Sequence, residues 1–477
     1  MRFSSAILTA LSCGIVTADV AAFANNALQQ VLDSVWPDEQ QVKSTRPPNF
    51  VFIITDDQDL ELNSVEYMPL LQQHLKNKGT FFKNHFVTTA LCCPSRTSGG
   101  YPKFVERGFN DDFLPVWLQR SGYNTFYTGK LFNSHTVDNY DKPYVNGFNG
   151  SDFLLDPFTY SYLNSTYQRN REPPVSYEGY HTTDVITEKA LGFLEDGLAG
   201  DQPFFLVVAP IAPHSNVDGG ALSGHLAPTV MTEPIPLSRH ENHFQDVKVP
   251  RTAHFNPDED EPTIEYNDHF YRQRLRALQG VDELVRDVVT RLEDSDQLDN
   301  TYIIYTSDNG YHIGQHRLPP GKTCGFEEDI RVPFFIRGPG IANGVAQDAV
   351  TTHIDIAPTL LKLAGVPLRD DLDGTPMPIH PSGDETRHEH VTVEYWGRSY
   401  LEGEMGPIGI PIASGSISIR VTDHWLEGSP VVPNNTYKSV RLIGDGFDLY
   451  YSVWCNNEHE LYDLTVSIQT KLIQYPL

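Results

Sequence analysis

The sequence predicts an α/β fold with a large, mixed, mostly parallel sheet sandwiched by helices, followed by a smaller antiparallel sheet. Three apolar runs of strand length, Asn49–Thr55, Phe204–Ala209 and 302–306, lack polar alternation, which is typical of strands buried on both faces of a parallel sheet. Between the second and third runs, apolar residues recur at intervals of three and four. This spacing predicts an amphipathic helix from residue 266 to about residue 298. Buried strands that alternate with helices favour this fold class.

The segment after the first strand predicts a further helix. Pro69 suits its first turn, and Gly79 provides a stop. Met68, Leu71 and Leu75 fall on one face, which we expect to pack on the sheet.

The pattern changes beyond Gly374, where closely spaced prolines indicate a linker. Short runs at 440–443, 448–451 and 460–463 predict an antiparallel sheet, which we expect to carry a helix, and glycines at 444–446 predict a turn. The predicted organisation is a signal peptide at 1–18, an N-terminal lead-in at 19–48, a catalytic domain at 49–374 and a small-sheet subdomain at 375–477.

Composition excludes some classes of function. The 477 residues are 39% hydrophobic, enough for a large core, and carry a formal net charge of −27. Such an acidic surface repels phosphate backbones, so nucleic-acid binding is excluded. An anionic substrate would need a local cationic site made by a metal ion and a few basic side chains.

The N-terminus predicts secretion. Arg2 precedes an apolar stretch at 6–16, and small residues at 16–18 form a cleavage site. The stretch is too short to span a bilayer, and no later apolar run is long enough, so we expect no membrane anchor. Asn149, Asn164 and Asn434 begin glycosylation triplets, which agrees with this route.

Four cysteines remain in the predicted mature chain: Cys92, Cys93, Cys324 and Cys455. They are too few for a disulfide framework, and we expect at most one bridge. Adjacent Cys92 and Cys93 fit each other poorly, because a disulfide needs a particular Cα separation and orientation.

Acidic pairs follow two of the buried strands. Asp56 and Asp57 come directly after the first, and Asp308 and Asn309 follow the strand at 302–306. Ligands of open α/β sheets bind at the carboxyl ends of strands, and oxygen donors suit Ca²⁺ or Mg²⁺. Acidic residues in such positions are also common turn formers. Because the carboxylates would repel each other without a cation, and no histidine or thiolate is included, the set favours Ca²⁺.

The run Cys92 to Arg96 reads C-x-P-S-R and resembles the signature of type I sulfatases. This resemblance implies an alkaline phosphatase-like fold and oxidation of Cys92 to formylglycine by a formylglycine-generating enzyme. The hydrated aldehyde would attack the sulfur of a sulfate ester. A buried thiol or half of a disulfide is the alternative for Cys92.

The resemblance extends from residue 49 to about 365 and includes Glu460 to Leu464. It implies that Asp56, Asp57, Asp308 and Asn309 ligate one Ca²⁺, with formylglycine at residue 92 completing the site. Residues 311–315 and 331–333 are similar to the glucosamine-6-sulfatase and fungal arylsulfatase branch. The substrate implied is an aryl sulfate or a sugar sulfate.

Basic residues complete the implied site. Lys130 and Lys322 match family lysines that contact the sulfate, and His214 matches a histidine that also reaches it. We assign His214 as the proton donor to the leaving group, while Arg96 would steady the aldehyde hydrate. Phe132 stands where many relatives have histidine, and Asn133 follows it.

The chain also departs from the family pattern. Residues 97–101 replace the helix that relatives place under the nucleophile, and the tail after Leu464 lacks the usual continuation. An internal deletion or a misread exon would explain both. Two alternatives stay open beside sulfate ester hydrolysis. The metal and the lysines would also suit phosphate or phosphonate ester hydrolysis on the same scaffold, and the missing segment after Arg96 leaves open a secreted, non-catalytic relative.

Overall fold

The computed structural model covers most of the chain from Arg46 onward. The residues described are 46–96, 99–217, 231–252, 254–255, 261–379, 389–397, 399–400, 402, 419–421, 424–426, 431–432, 435–465 and 470–473. The predicted signal peptide and nearly all of the lead-in lie outside these residues. Residues Pro47–Leu477 form one compact unit.

The strands belong to one large sheet, one small sheet and three two-stranded ribbons. In chain order they are β1 Asn49–Thr55, β2 Thr80–Phe86, β3 Asn124–Lys130, β4 Gly150–Leu154, β5 Thr166–Arg169, β6 Val175–Ser176, β7 Phe204–Ala209, β8 Asn216–Val217, β9 Met231–Thr232, β10 Thr301–Ser307, β11 Phe334–Arg337, β12 Val345–Thr352, β13 His390–Tyr395, β14 Ser399–Tyr400, β15 Ile419–Val421, β16 His424–Leu426, β17 Val431–Val432, β18 Tyr437–Gly444, β19 Phe447–Trp454, β20 His459–Asp463 and β21 Thr470–Ile473.

The helices described are mostly short apart from two long ones. They are α1 Pro69–Leu71, α2 Cys92–Ser95, α3 Gly100–Glu106, α4 Leu114–Arg120, α5 Thr182–Leu198, α6 Glu261–Asp294, α7 Glu327–Ile330 and α8 Ile356–Leu363, with 3-10 turns at Ser64–Tyr67, Phe109–Asp111, Ser238–His240, Leu298–Asn300 and His353–Asp355 and a π-helical turn at Gln72–Lys76. The predicted long helix is confirmed as α6, which begins five residues earlier. Among the described residues, no helix has the length and apolar character needed to cross a bilayer.

The large sheet has ten strands in the order β12-β2-β11-β10-β1-β7-β3-β4-β5-β6. Its centre, from β10 through β1, β7 and β3 to β4, is parallel throughout, and antiparallel pairs lie toward both edges. The predicted mixed, mostly parallel sheet is therefore confirmed. The three predicted apolar runs are β1, β7 and β10, and they are neighbours at its centre.

Alternate residues of β1 pack on opposite faces of the sheet. Val51 and Ile53 join a cluster that includes residues of α5 and α6, whereas Phe50, Phe52 and Ile54 join residues of α3, α4 and α8. All seven residues of β1 are buried, which explains the absence of polar alternation in this run. Helices cover both faces, as the sequence predicts.

A five-stranded antiparallel sheet, ordered β13-β18-β19-β20-β21, forms the second layer of strands. Its strands include the predicted runs, and the turn at 444–446 joins β18 to β19. The helix expected in this part of the chain is not found among its described residues. β18 to β21 pair in sequence order, whereas β13 pairs with β18 across residues 396–436, only part of which are described. The boundary at 374/375 stays a prediction.

Gly129 in β3 allows the close approach that brings the next residue, Lys130, into the site. Its φ is +105°, and a Cβ there would lie 2.2 Å from the carbonyl oxygen of Ala209 on β7. We expect Gly129→Ala to lower the free energy of unfolding by roughly 3 kcal/mol, because positive φ and overpacking each cost about 1–3 kcal/mol. Urea denaturation measures this loss.

The control is Gly192→Ala in α5, where an added Cβ meets nothing within 4 Å. This substitution should raise stability by up to about 1 kcal/mol, since alanine is the better helix former. Equal stabilities of the two variants would contradict the steric account of Gly129.

Candidate active site

Two neighbouring strands deliver the acidic residues to one point. β1 and β10 pair in parallel with Thr55 opposite Ser307, so Asp56–Asp57 and Asp308–Asn309 leave the sheet side by side. The backbone N–H of Asp57 donates to Asp308 Oδ1 at 3.0 Å, and Asn309 Nδ2 donates to Asp57 Oδ1 at 2.8 Å. Asp57 has a φ of +66°, which turns the chain sharply after β1. All four side chains are buried.

Cys92 begins the one-turn helix α2 and points at this acidic group. Its Sγ lies 3.2 Å from Asp56 Oδ1 and 3.8 Å from Asp57 Oδ1, and its residue is 1% exposed. The sulfur is in no disulfide, and neither are Cys93, Cys324 and Cys455. The alternative that Cys92 is half of a disulfide is therefore not supported.

Two buried lysines pair with different carboxylates of this group. Lys130, the last residue of β3, pairs with Asp56 and lies 3.9 Å from Asp308 Oδ2. Lys322 contacts both oxygens of Asp57, at 2.6 and 2.5 Å, and its Nζ is 3.5 Å from Cys92 Sγ. Both ammonium groups thus border the position of Cys92.

Arg96 links helix α2 to the strand ends. Its Nε donates to Asp308 Oδ2 at 2.9 Å and its Nη1 donates to the carbonyl of Lys130 at 2.7 Å. The guanidinium therefore holds α2, β3 and the residue after β10 together. The backbone N–H of Arg96 donates to the carbonyl of Cys92 at 2.8 Å, and no hydrogen bond joins the guanidinium to Cys92 Sγ among the described residues.

His214 follows β7 in a short turn and closes another side of the site. Its Nε2 lies 3.5 Å from Asp57 Oδ2, and its Nδ1 is 2.7 Å from the carbonyl oxygen of Ser215. Its ring stacks on Tyr160 with centroids 4.1 Å apart. Nδ1–H donation to that carbonyl would leave Nε2 facing the site.

The structure thus brings together all of the site residues that the sequence predicts. Within this set, donor atoms of Asp56, Asp57, Cys92 and His214 lie within 4.8 Å of one another, a spacing that a metal ion can bridge. Asp308 is held slightly aside, because its two oxygens accept from the Asp57 N–H and from Arg96.

Burial and the lysines set the charge states of the acids. Burial opposes ionisation of Asp56, yet attraction to Lys130 holds the pKa of Asp56 far below its ordinary value. Burial raises the pKa of Asp57 above its ordinary value, against the attraction of Lys322. Burial also raises the pKa of the Cys92 thiol, and nearby Asp308 raises it further. Cys92 is consequently a poor thiolate nucleophile in this environment.

Glu402 is a site residue that the sequence analysis missed. Its carboxylate accepts from Ser215 Oγ at 2.6 Å and from the Tyr311 hydroxyl at 2.9 Å, and it lies 3.5 Å from Lys322 Nζ. Burial raises its pKa, but Lys322 and His214 outweigh that effect and lower the pKa of Glu402 to about 2. It therefore stays ionised and holds Lys322. Glu402 lies in a stretch without periodicity, so no sequence signal marks it.

Arg274 and Tyr160 were also missed. Arg274 is buried on α6, donates to the carbonyls of Asp57 and Pro213, and supports the turns that carry Asp57 and His214. It lies four residues before Leu278, in line with the apolar face of α6. A charged residue on an otherwise apolar helix face could have been identified from the sequence as a candidate for a buried polar role. Lys130 Nζ lies 4.7 Å above the ring of Tyr160, a residue that no motif marks.

The segment after Arg96 leads into helix α3, which is hydrogen-bonded to the loop after β3. Gly99 and Gly100 have φ values of +81° and +70°, and α3 begins at Gly100 instead of continuing α2. The N–H of Tyr101 donates to the carbonyl of Asn133 at 2.9 Å. Thr97 and Ser98 lie outside the described residues. The sequence predicts that no continuous helix follows Arg96, and the described part of this segment agrees with that prediction.

Phe132 and Asn133 have different surroundings. Phe132 packs in the core against Phe104, with ring centroids 4.7 Å apart. Asn133 Nδ2 donates to the Tyr160 hydroxyl at 3.0 Å, and so supports the ring on which His214 stacks. The position that is histidine in many relatives is thus an apolar core residue here.

Comparison with known proteins decides the family. The sequence profile described as Sulfatase matches residues 48–366, and an arylsulfatase of Volvox carteri is 38% identical over 468 residues, covering 87% of this chain and 70% of that protein. The chain belongs to the sulfatase family. An N-acetylglucosamine-6-sulfatase of Capra hircus is 31% identical over 470 residues, covering 89% of this sulfatase and 79% of that protein.

The fold comparison agrees. A protein structure solved with its substrate D-glucosamine-2-N,6-O-disulfate aligns with a TM-score of 0.65 at 21% identity, over 88% of this chain and 92% of that one. Membership of the family makes this chain a sulfuric ester hydrolase. Phosphate ester hydrolysis is not favoured.

Proposed function

We propose that this sulfatase hydrolyses aryl or sugar sulfates with formylglycine at residue 92 as the nucleophile and one Ca²⁺ as cofactor. The observation that carries the proposal is the convergence of acidic and basic side chains on Cys92 Sγ. Asp56 lies at 3.2 Å and Lys322 at 3.5 Å from this atom. Conversion of the thiol to an aldehyde removes two electrons and two protons, which an external oxidant such as dioxygen would accept, and exchanges sulfur, lost as sulfide, for oxygen. A formylglycine-generating enzyme would carry out this oxidation.

The charge balance of the site supports a bound cation. Four buried carboxylates, those of Asp56, Asp57, Asp308 and Glu402, face three permanent cations, Lys130, Lys322 and Arg96. An anionic sulfate would meet no surplus of positive charge without a divalent ion. Asn309 Oδ1 is also buried with no hydrogen-bond partner among the described residues. A divalent cation bound by Asn309 Oδ1 and the carboxylates would supply the missing positive charge and give this buried oxygen a partner.

We assign Ca²⁺ to this position because its donors are oxygens. Asp56, Asp57, Asp308 and Asn309 would hold it, with the oxygen of residue 92 completing the shell. The irregular geometry, in which Asp308 also binds Arg96, suits the flexible shell of Ca²⁺ better than the octahedral shell of Mg²⁺. When bound, the ion would neutralise sulfate charge and lower the pKa of the attacking hydroxyl.

Side chains of this protein would bind the sulfate, protonate the leaving group and orient residue 92. Lys130 and Lys322 would bind nonbridging sulfate oxygens and hold the sulfur in line with residue 92. His214 Nε2 faces the same space and would protonate the departing oxygen. Arg96 would keep residue 92 oriented through Asp308 and the Lys130 carbonyl.

The relatives give two substrate classes. Similarity to an arylsulfatase favours a phenol sulfate, and similarity to an N-acetylglucosamine-6-sulfatase favours a sugar sulfate. We place the aryl sulfate first because that relative has the higher identity. We also propose that the chain is a secreted glycoprotein with its catalytic domain at 49–374. Its N-terminal pattern and the exposed Asn149 support secretion and glycosylation.

Two measurements on protein secreted from a competent host test the proposal. Mass spectrometry of the tryptic peptide 84–96 should show an aldehyde at residue 92 and an intact thiol at residue 93. A chromogenic aryl sulfate should be hydrolysed faster than the corresponding aryl phosphate. An intact thiol at residue 92 would defeat the mechanism, a faster phosphate rate would favour the phosphatase alternative, and an aldehyde without either activity would favour a non-catalytic relative.

A further inference from the structure

A second polar region lies outside the residues assigned to sulfate chemistry. A cavity of about 540 Å³ is bordered by the loop after β10, the segment before α7 and the small sheet. Its described lining residues include His254, His316, Cys324 and Glu460. Neither Cys92 nor the acidic pairs contribute to this lining.

Two histidines in this region converge on one buried carboxylate. His254 Nε2 lies 2.6 Å from Glu328 Oε1, and His316 Nε2 lies 3.6 Å from Glu328 Oε2. The imidazole centroids are 4.4 Å apart, and one donor atom from each residue lies within 4.8 Å of the others. The three side chains are 9%, 15% and 4% exposed, respectively.

Backbone and ring contacts hold these donors in place. The N–H of His316 donates to the carbonyl of His254 at 3.0 Å, which joins the two loops. The ring of His316 stacks on Phe326 with centroids 3.9 Å apart and an interplanar angle of 12°. Glu328 belongs to α7, and its carbonyl accepts the Tyr311 N–H at 2.7 Å. The cluster is therefore built from three segments that are fixed to each other.

One atom of the cluster lacks a partner. Glu328 Oε2 is buried and accepts no hydrogen bond among the described residues, since 3.6 Å to His316 Nε2 is too long for one. A carboxylate oxygen left in this state is costly. A cation between Glu328 Oε2 and His316 Nε2 would give the carboxylate oxygen a partner after a small side-chain shift.

We propose that His254, His316 and Glu328 form a second metal site that binds a late first-row divalent cation such as Zn²⁺. Two imidazole nitrogens and one carboxylate oxygen match the donors of this ion, whereas Ca²⁺ prefers oxygen donors alone. Water from the cavity would fill the fourth position. The site shares no ligand with the proposed Ca²⁺ centre and stands whether or not residue 92 is converted.

The position gives the ion a bracing role. The carbonyls of Glu328 and Asp329 accept the N–H groups of Tyr311 and Gly310, which directly follow Asn309. A metal ion on Glu328 would therefore tie the loop of His254 to the segment behind the acidic pair of β10. We expect Zn²⁺ to raise the melting temperature of the Ca²⁺-saturated protein.

Calorimetric titration of Zn²⁺ into the chelator-treated, Ca²⁺-saturated full chain tests the site. One equivalent should bind, and X-ray absorption should show only nitrogen and oxygen ligands at about 2.0–2.1 Å. His254→Ala and His316→Ala should each weaken binding by more than the roughly 10- to 100-fold typical of losing an outer-shell partner. The absorption spectrum needs no variant, so it tests the site even if a substitution prevents folding.

The matched control is His269→Ala, which removes the histidine of a half-buried histidine–glutamate pair, His269–Glu233 at 3.1 Å. This variant should bind Zn²⁺ as the unaltered chain does. The proposal fails if no equivalent binds, or if His269→Ala loses binding equally. It also fails if a sulfur ligand at about 2.3 Å places the ion at the neighbouring cluster of His312, Cys324 and Asp329.

Discussion

Replacing Cys92 by serine is expected to lower steady-state hydrolysis of an aryl sulfate by at least about 10⁴-fold, the scale seen when a nucleophile is removed. Serine carries a single hydroxyl. Even if this hydroxyl attacked the sulfur, the resulting sulfate ester would have no second hydroxyl on the same carbon to expel the sulfate. Release of phenol should therefore stop after at most one turnover per chain.

Cys93→Ser is the matched control because it changes the same atom in the adjacent residue. Cys93 Sγ accepts the Asn133 N–H at 3.4 Å, and a serine oxygen can accept the same bond. This variant should keep its rate within a few-fold of the unaltered chain. If both variants lost activity equally, the effect of Cys92→Ser would be structural, and a fully active Cys92→Ser would remove residue 92 from the chemistry.

Removing Ca²⁺ with a chelator is expected to lower the melting temperature and stop turnover. Added calcium should restore both. At a calcium concentration 100 times its Kd, the free energy of unfolding should rise by about 2.7 kcal/mol. Asp308→Ala should abolish the calcium response and the activity together, because it removes a proposed ligand and leaves Arg96 without its carboxylate partner. Differential scanning calorimetry with and without chelator measures the response.

Asp282→Asn provides the comparison for this experiment. Asp282 is also a buried acid, but its oxygens accept the N–H groups of Leu70 and Leu71 away from the site. The variant should still be stabilised by calcium, whatever its own melting temperature. A normal calcium response in Asp308→Ala, or an unchanged melting curve with chelator, would rule out the proposed centre.

The central sheet could be predicted because its strands are apolar on both faces. β1 matches its predicted bounds, and the acidic pairs could be placed together because β1 and β10 were expected to end at the same edge. Lys130 and Lys322 could be added only through the resemblance to sulfatases. A lone lysine has no pattern of its own, and these two meet only in the folded chain.

The rest of the site depends on contacts that a linear pattern does not show. Glu402 reaches Lys322 across 80 positions of sequence from a segment without periodicity. Tyr160 is one of many aromatic residues and gains a role only by lying under Lys130 and beside His214. The cluster of His254, His316 and Glu328 likewise joins separate loops, and only its geometry identifies it.

The burial of Cys92 has a consequence for biosynthesis. Cys92 is 1% exposed once Lys322, 230 residues later, has closed over it, so a modifying enzyme cannot reach its side chain in the finished fold. At a synthesis rate of about 5–20 residues per second, Lys322 follows Cys92 by roughly 10–45 seconds. The proposed oxidation of Cys92 would therefore have to occur on the growing or still unfolded chain. Conditions that slow translation would lengthen this interval, and faster folding would lower the fraction of chains that carry the proposed formylglycine.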